Sequence, residues 1–298
     1  MNGHDPPRGR KLDNQQQKRM IQKIYRRIIM VLAAPIYLSD FFEHRVGAHY
    51  GVGFWEKLKL VLLFRRNSRA VITASSWLEH LQLAAEILSI PPEVKGDIIE
   101  CGCYKGGSTT NLSLVCARVN RRLVVCDSFE GLPPTEARDK VHYNYIGQRM
   151  EHYEKGQFCG RLDEVKENIR MYGDIRVCEF IKGYFCDTLP KLDGTMYVTA
   201  FVDVDLHQSL EDCVISIWPR LQPGARLFSH EAQDIQFVGL FYDHPWWQKH
   251  LHDNAPGFVG AGTGLPLGIG GGSSLGYALK IDKETATKNW RLVNFSLT

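Results

Sequence analysis

The sequence predicts an α/β fold: a doubly wound, mainly parallel sheet with helices on both faces and a basic helical appendage at its N-terminus. Three observations predict it. From about residue 76, apolar runs of strand length alternate with segments of helical period, the order that gives parallel strands joined by crossover helices. A glycine-rich turn at Gly102, Gly106 and Gly107 follows the first strand-like run, and a second such run ends in Asp127. The length, 298 residues, suits one domain of about 200–220 residues plus an extension. Hydrophobic content of 44% and charged content of 23% are ordinary for a soluble globular chain.

The N-terminal region stands apart by charge. Residues 1–70 carry fourteen Lys/Arg against five Asp/Glu, while 71–298 carry twenty-two against twenty-eight. The expected organisation is therefore a basic region with short apolar helices over 1–70 and the α/β domain over 71–298. Residues 1–19 are polar and rich in Gln, Lys and Arg, a composition that cannot bury a core. Residues 28–38 are apolar but too short to span a bilayer, are interrupted by Pro35, and lack a signal-peptide cleavage site. Residues 54–64 present an apolar face with Lys57, Lys59, Arg65 and Arg66 around it. Two readings stay open: peripheral contact of 20–66 with an anionic membrane, or packing on the α/β domain or a partner subunit. A homo-oligomer is expected. The net acidic domain shows no basic stripe, which argues against nucleic acid. Eight cysteines without a C-x-x-C pair argue against structural zinc and for buried, reduced thiols in a cytoplasmic protein, peripheral to the membrane on the first reading.

The elements follow in order. Residues 77–90 repeat apolar positions at helical spacing and stop at Pro91-Pro92. A strand is expected over 98–101, a helix over 108–119 and a strand over 123–126. The polar stretch 133–160 reads as an insertion near the site. Residues 162–173 form a helix closed by glycine, and 176–190 a strand and turn. A strand over 196–205, a helix over 207–221 and strands over 225–231 and 275–281 complete the sheet.

Ligands in such folds lie at the carboxyl ends of the strands. Small residues in the turn let a backbone approach a ligand closely, and a strand-end carboxylate accepts hydrogen bonds from a ribose diol. The spacing is E-x-G-x-x-x-G-G, from Glu100, not the G-x-G-x-x-G that grips a pyrophosphate. Glu100 would repel a phosphate and favour a ligand with an ammonium and a sulfonium, which points to S-adenosylmethionine rather than a nicotinamide dinucleotide. The donor site expected is Glu100, Cys101, Gly102, Lys105, Gly106, Gly107 and Ser108, with Asp127, Ser128 and Phe129 on the second strand. Gly183 leaves room for an adenine, on which Tyr184 can stack.

The later strand ends carry a second group. The fourth ends in Asp203-Val204-Asp205 and the fifth in His230-Glu231. Asp205 suits the N-cap of the following helix. Asp203, His230 and Glu231 suffice to hold a divalent metal, which could lower the pKa of a substrate hydroxyl and orient its oxygen. Metal-free, His230 could serve as general base.

ECGCYKGGS, VCDSFEGLP, IKGYFCDTLP and DVDLHQSL…PRLQPGARLFSHE, over about 76–235, together resemble the macrocin O-methyltransferase family. The resemblance implies a seven-stranded class I methyltransferase sheet, S-adenosylmethionine, and magnesium. It also implies an acceptor hydroxyl on a sugar-bearing small molecule or glycan. The family's metal aspartates fall by position on Asp203, His230 and Glu231. The His-Glu pair departs from the family's Asp-Asp, which could favour manganese over magnesium. His207 replaces a family tyrosine and is a second candidate base. Trp246 and Trp247 either stack on a sugar or pack in the core. Two alternatives remain: a non-catalytic or membrane-surface protein that keeps this fold, and a nicotinamide-dependent oxidoreductase.

Overall fold

The computed structural model describes residues 37–140, 153–192, 194–260 and 275–281, with positions 21, 24, 28, 31, 32, 34 and 35. The glycine-rich stretch between 261 and 274 lies outside the described residues. Among the described residues, seven strands form one sheet: β1 (Asp97–Cys101), β2 (Leu123–Asp127), β3 (Cys178–Lys182), β4 (Tyr197–Val202), β5 (Leu221–Ser229), β6 (Val259–Gly260) and β7 (Gly276–Leu279). Their order is β3-β2-β1-β4-β5-β7-β6. β1 to β5 pair in parallel, and β7 runs antiparallel to β5 and β6.

The chain builds outward from β1 to β3 and then returns to the other side of β1 as β4. That reversal is a topological switch point, where crossovers diverge and leave a crevice at the strand carboxyl ends. Hydrogen bonds carry the ladder one residue beyond the strands. Gly102 N donates to Cys126 O at 2.9 Å, Asp203 N to Cys101 O at 2.9 Å, and His230 N to Val202 O at 3.0 Å. Asp127, Gly102, Asp203 and His230 are thereby fixed in one row.

β1, β2 and β4 are buried on both faces, as a doubly covered parallel sheet requires. The helices Trp77–Ser89, Gly107–Val119 and Leu162–Tyr172 pack on one face around Leu81, Ile87, Leu112 and Ile169. The helix His207–Ile217 packs on the other around Leu210, Val214 and Ile217. The helix Phe54–Ala70 belongs to the first layer. Its Leu60, Val61 and Phe64 are buried there, and Asn67 Nδ2 donates to Asn111 Oδ1 and to Tyr172 O, each at 3.0 Å. The change of charge at residue 70 is not a boundary in packing. Phe54, Trp55 and Leu62 on the same helix stay exposed. Among the described residues no helix is long and apolar enough to cross a membrane.

Several expectations change in detail. The helix expected over 207–221 ends at Ile217, and Leu221 already begins β5. A register shift between Tyr197 and Thr199 accommodates Pro223-Gly224 within that strand. The helices Ile235–Leu240 and His244–Leu251, and the short β6, were not anticipated. Trp247 is fully buried against Trp218 at a ring separation of 4.9 Å, and Trp246 stacks on His250 at 4.8 Å. The eight cysteines are free, but Cys159 and Cys186 are exposed rather than buried.

Candidate active site

The crevice holds a cavity of about 270 Å³. Gly102, Ser108, Asp127, Ser128, Tyr184 and Asp203 line it, which brings six of the expected site residues to one cavity. Gly102 has φ +84°, and a Cβ there would overlap the carbonyl oxygen of Asp203. Only glycine lets the first turn lie this close to β4. Asp127 is locked in place: its Oδ2 accepts from Cys103 N at 2.8 Å and its Oδ1 from Phe129 N at 2.7 Å. Burial pushes its carboxyl up, while those amide bonds oppose the shift. Gly183 N donates to Asp127 O at 3.0 Å, which ties the loop bearing Tyr184 to the end of β2.

The other expected donor residues are not part of the cavity lining. Cys101 and Phe129 are buried. Gly106 caps the helix Gly107–Val119 with φ +81°, and Gly107 closes on Thr73. Lys105 turns to the surface, where Nζ pairs with Glu164 Oε1 at 2.8 Å. Glu100 departs most from expectation. It is fully buried beneath the turn, accepts a short hydrogen bond from Ser108 Oγ, and does not line the cavity.

Burial, with the charges of Asp203 and Asp127 nearby, raises the Glu100 carboxyl to about 7, against the Ser108 hydrogen bond. Folded protein therefore holds a proton on Glu100 that the unfolded chain releases near pH 4.5. Stability should fall as pH rises from 4.5 to 7, by about 3 kcal/mol for this group. Denaturant unfolding across that window should show the fall in wild type and a flatter curve in Glu100→Gln. Parallel curves would contradict the buried, protonated carboxyl.

Asp203, His230 and Glu231 each offer a ligand atom within 4.8 Å of the others. His230 Nδ1 lies 3.4 Å from Asp203 Oδ1, and its Nε2 lies 3.6 Å from Glu79 Oε2. Burial works against charge on His230, but Asp203 and Glu79 push the imidazolium well above the usual histidine range. Burial pushes the Glu231 carboxyl well up, with Asp205, Asp203 and Asp234 adding repulsion and His230 alone opposing it. Crowded carboxylates facing one imidazole form a donor set that fits a divalent cation, with two carboxylate oxygens and one imidazole nitrogen. An added cation would offset the repulsion that pushes the Glu231 carboxyl up.

The helix after β4 is capped differently from expectation. Asp205 has φ +59° and lines the cavity instead of capping. Asp139 takes that place from a distant loop: its Oδ1 accepts from His207 N at 3.0 Å and sits 3.1 Å from His207 Nδ1. His207 also packs on the Phe237 ring at 4.4 Å and does not line the cavity. Its histidine is thus held by structural partners. The sequence reading missed Glu79, Asp139 and Tyr153, whose hydroxyl hydrogen-bonds Asp205. Burial, with Asp205, Glu231 and Asp203 nearby, pushes the Tyr153 phenol well up.

Comparison with known proteins places this geometry. A tetracenomycin-C rhamnosyl 4'-O-methyltransferase of Streptomyces olivaceus is 33% identical over 153 residues, 49% of this chain and 56% of its own length. Demethyldecarbamoylnovobiocin O-methyltransferase of Streptomyces niveus is 30% identical over 154 residues, again 49% and 56%. The chain thus spans about half the length of the curated relatives it matches. The solved O-methyltransferase NovP shares the fold with a TM-score of 0.53 at 19% identity, over 70% of this chain and 84% of that one. The calicheamicin methyltransferase CalS11 does so with 0.50 at 17% identity, over 76% and 93%. The sheet is that of the class I O-methyltransferases. The macrocin O-methyltransferase (TylF) family model matches residues 68–234, more than half of the sequence and the carboxyl ends of β1 to β5, and the chain belongs to that family.

Proposed function

We propose that this chain is an S-adenosylmethionine-dependent O-methyltransferase acting on a hydroxyl of a sugar-bearing natural product or glycan. We further propose a divalent metal held by Asp203, His230 and Glu231. One observation carries the reading: the Gly102 turn packs directly on the backbone of Asp203, so the donor cradle and the acidic strand end open into one cavity. The relatives, whose names describe methylation of rhamnosyl-tetracenomycin and of a novobiocin precursor, support a glycosylated acceptor.

The transfer forms a bond from the acceptor oxygen to the methyl carbon as the sulfur–carbon bond breaks, leaving a neutral thioether and releasing the hydroxyl proton. Asp127 and Ser128 would bind the ribose, and Tyr184 would stack on the adenine. Asp203 faces the acceptor side and is placed to take the proton. Leu132, Pro133, Phe158 and Leu206 give the cavity part of its apolar lining, and positioning and desolvation would supply much of the acceleration. A divalent ion, when bound, lowers the pKa of the hydroxyl and orients its oxygen.

Incubation with methyl-labelled S-adenosylmethionine and a panel of rhamnosylated aglycones should give a product one methyl heavier. Donor binding without transfer to any hydroxyl would favour the non-catalytic alternative. Exposed Phe54, Trp55 and Leu62 beside Lys59 and Arg65 support peripheral contact with anionic lipid. Co-sedimentation with phosphatidylserine vesicles, lost in a Phe54→Ser/Trp55→Ser variant, is expected; equal pelleting of both would refute it.

A further inference from the structure

The carboxylate on the far side of His230 comes from outside the row of strand ends. Glu79 sits in the first turn of the helix Trp77–Ser89 and is 6% exposed. Its Oε2 accepts from Ser76 N at 2.7 Å, and Ser76 Oγ accepts from Glu79 N at 3.2 Å. This reciprocal capping box pins the Glu79 carboxylate to the start of the helix. The same Oε2 faces His230 Nε2 at 3.6 Å, while the opposite ring nitrogen, Nδ1, faces Asp203. The neighbouring His80 does not compete for Glu79. Its Nε2 pairs with Ser75 Oγ at 2.7 Å and its Nδ1 with Asn111 Nδ2 at 2.8 Å. Phe201 meets the His230 ring at a near-perpendicular 87°, closing another side.

A ligating histidine donates its second ring N–H to a carboxylate or carbonyl, and that bond decides which nitrogen is left for the metal. We propose, on the reading that Asp203, His230 and Glu231 hold a divalent ion, that Glu79 is a positioning residue for that centre. Its carboxylate, 3.6 Å from Nε2, favours the ring proton on that nitrogen and leaves Nδ1 as the ligating one, so that the site takes manganese in preference to magnesium. Magnesium demands oxygen donors in a near-ideal octahedron, whereas an imidazole nitrogen suits the transition metals. The histidine at the end of β5 and the glutamate in the helix before β1 thus form one device, although they lie far apart in sequence.

The test is calorimetric titration of manganese and of magnesium into the full-length wild type, Glu79→Gln and Ser76→Ala. Glutamine keeps an oxygen for the Ser76 amide but removes the charge. Ser76→Ala weakens the helix cap and leaves the charge in place. Glu79→Gln should lose manganese affinity by about ten- to a hundredfold and narrow the manganese-to-magnesium ratio, with S-adenosylmethionine affinity unchanged. Ser76→Ala should bind manganese as wild type does. Equal manganese affinity in wild type and Glu79→Gln would overturn the role of Glu79, as would an equal loss in Ser76→Ala. A wild type that binds S-adenosylmethionine but no manganese would overturn the metal reading itself. Should Glu79→Gln fail to fold, ¹⁵N-histidine spectra of the zinc-loaded wild type read the ring directly. A metal-bound Nδ1 with a protonated Nε2 supports the proposal, and the reverse assignment overturns it.

Discussion

Replacing Gly102 with alanine should abolish S-adenosylmethionine binding and destabilise the fold by about 2–5 kcal/mol. The φ of +84° imposes a backbone penalty on any residue with a Cβ, and that Cβ would overlap the Asp203 carbonyl oxygen. Neither chain can give way easily. Gly102 N is bonded to Cys126 O and Asp203 N to Cys101 O, both at 2.9 Å, so relief would unzip the carboxyl ends of β1 and β4. Gly194 is the control. Its φ is +71°, but a Cβ there meets nothing within 4 Å, so Gly194→Ala should cost only the backbone part, about 1 kcal/mol. Denaturant unfolding and donor titration on the two variants check this. Equal, small effects would show that the turn has room it is not expected to have.

Asp203→Asn should lower the rate of methyl transfer by about 10²- to 10⁴-fold, with donor affinity changed only slightly. Asp203 lines the cavity beside the Gly102 turn and lies 3.4 Å from His230 Nδ1, and on the proposed reading its charge serves the acceptor side and not the donor. The loss should appear in kcat more than in KM, because asparagine preserves shape while removing the proton acceptor. A variant with wild-type kcat would move the acid–base role elsewhere, with Tyr153 and Asp205 the nearest groups.

The sheet and its crevice were legible because both signals are local. Buried strands such as residues 98–101 and 123–126 are short apolar runs, and the turn after β1 is marked by glycines. Strand order then places Asp203 and His230 side by side, and the structure brings them to 3.4 Å. Contacts between residues distant in sequence were not legible. Glu79 lies on an amphipathic helix, and its local signal, Ser76-x-x-Glu79, indicates a cap and says nothing of His230. Asp139 replaces Asp205 as the cap of His207 from 68 residues away, which no window along the chain can show. Glu100 misled for a different reason. A carboxylate ending a strand looks like a ligand group, but its side chain turns under the helix start to Ser108. Trp247 belongs to the core because Trp218 and Phe241, on separate helical segments, close around it.

The measurement that bears most directly on the proposed activity is calorimetric titration of S-adenosylmethionine into the wild-type protein. One-to-one binding that disappears in Gly102→Ala is the expected result. No binding of S-adenosylmethionine, or binding that survives in Gly102→Ala, would contradict the placement of the donor in the crevice between β1 and β4.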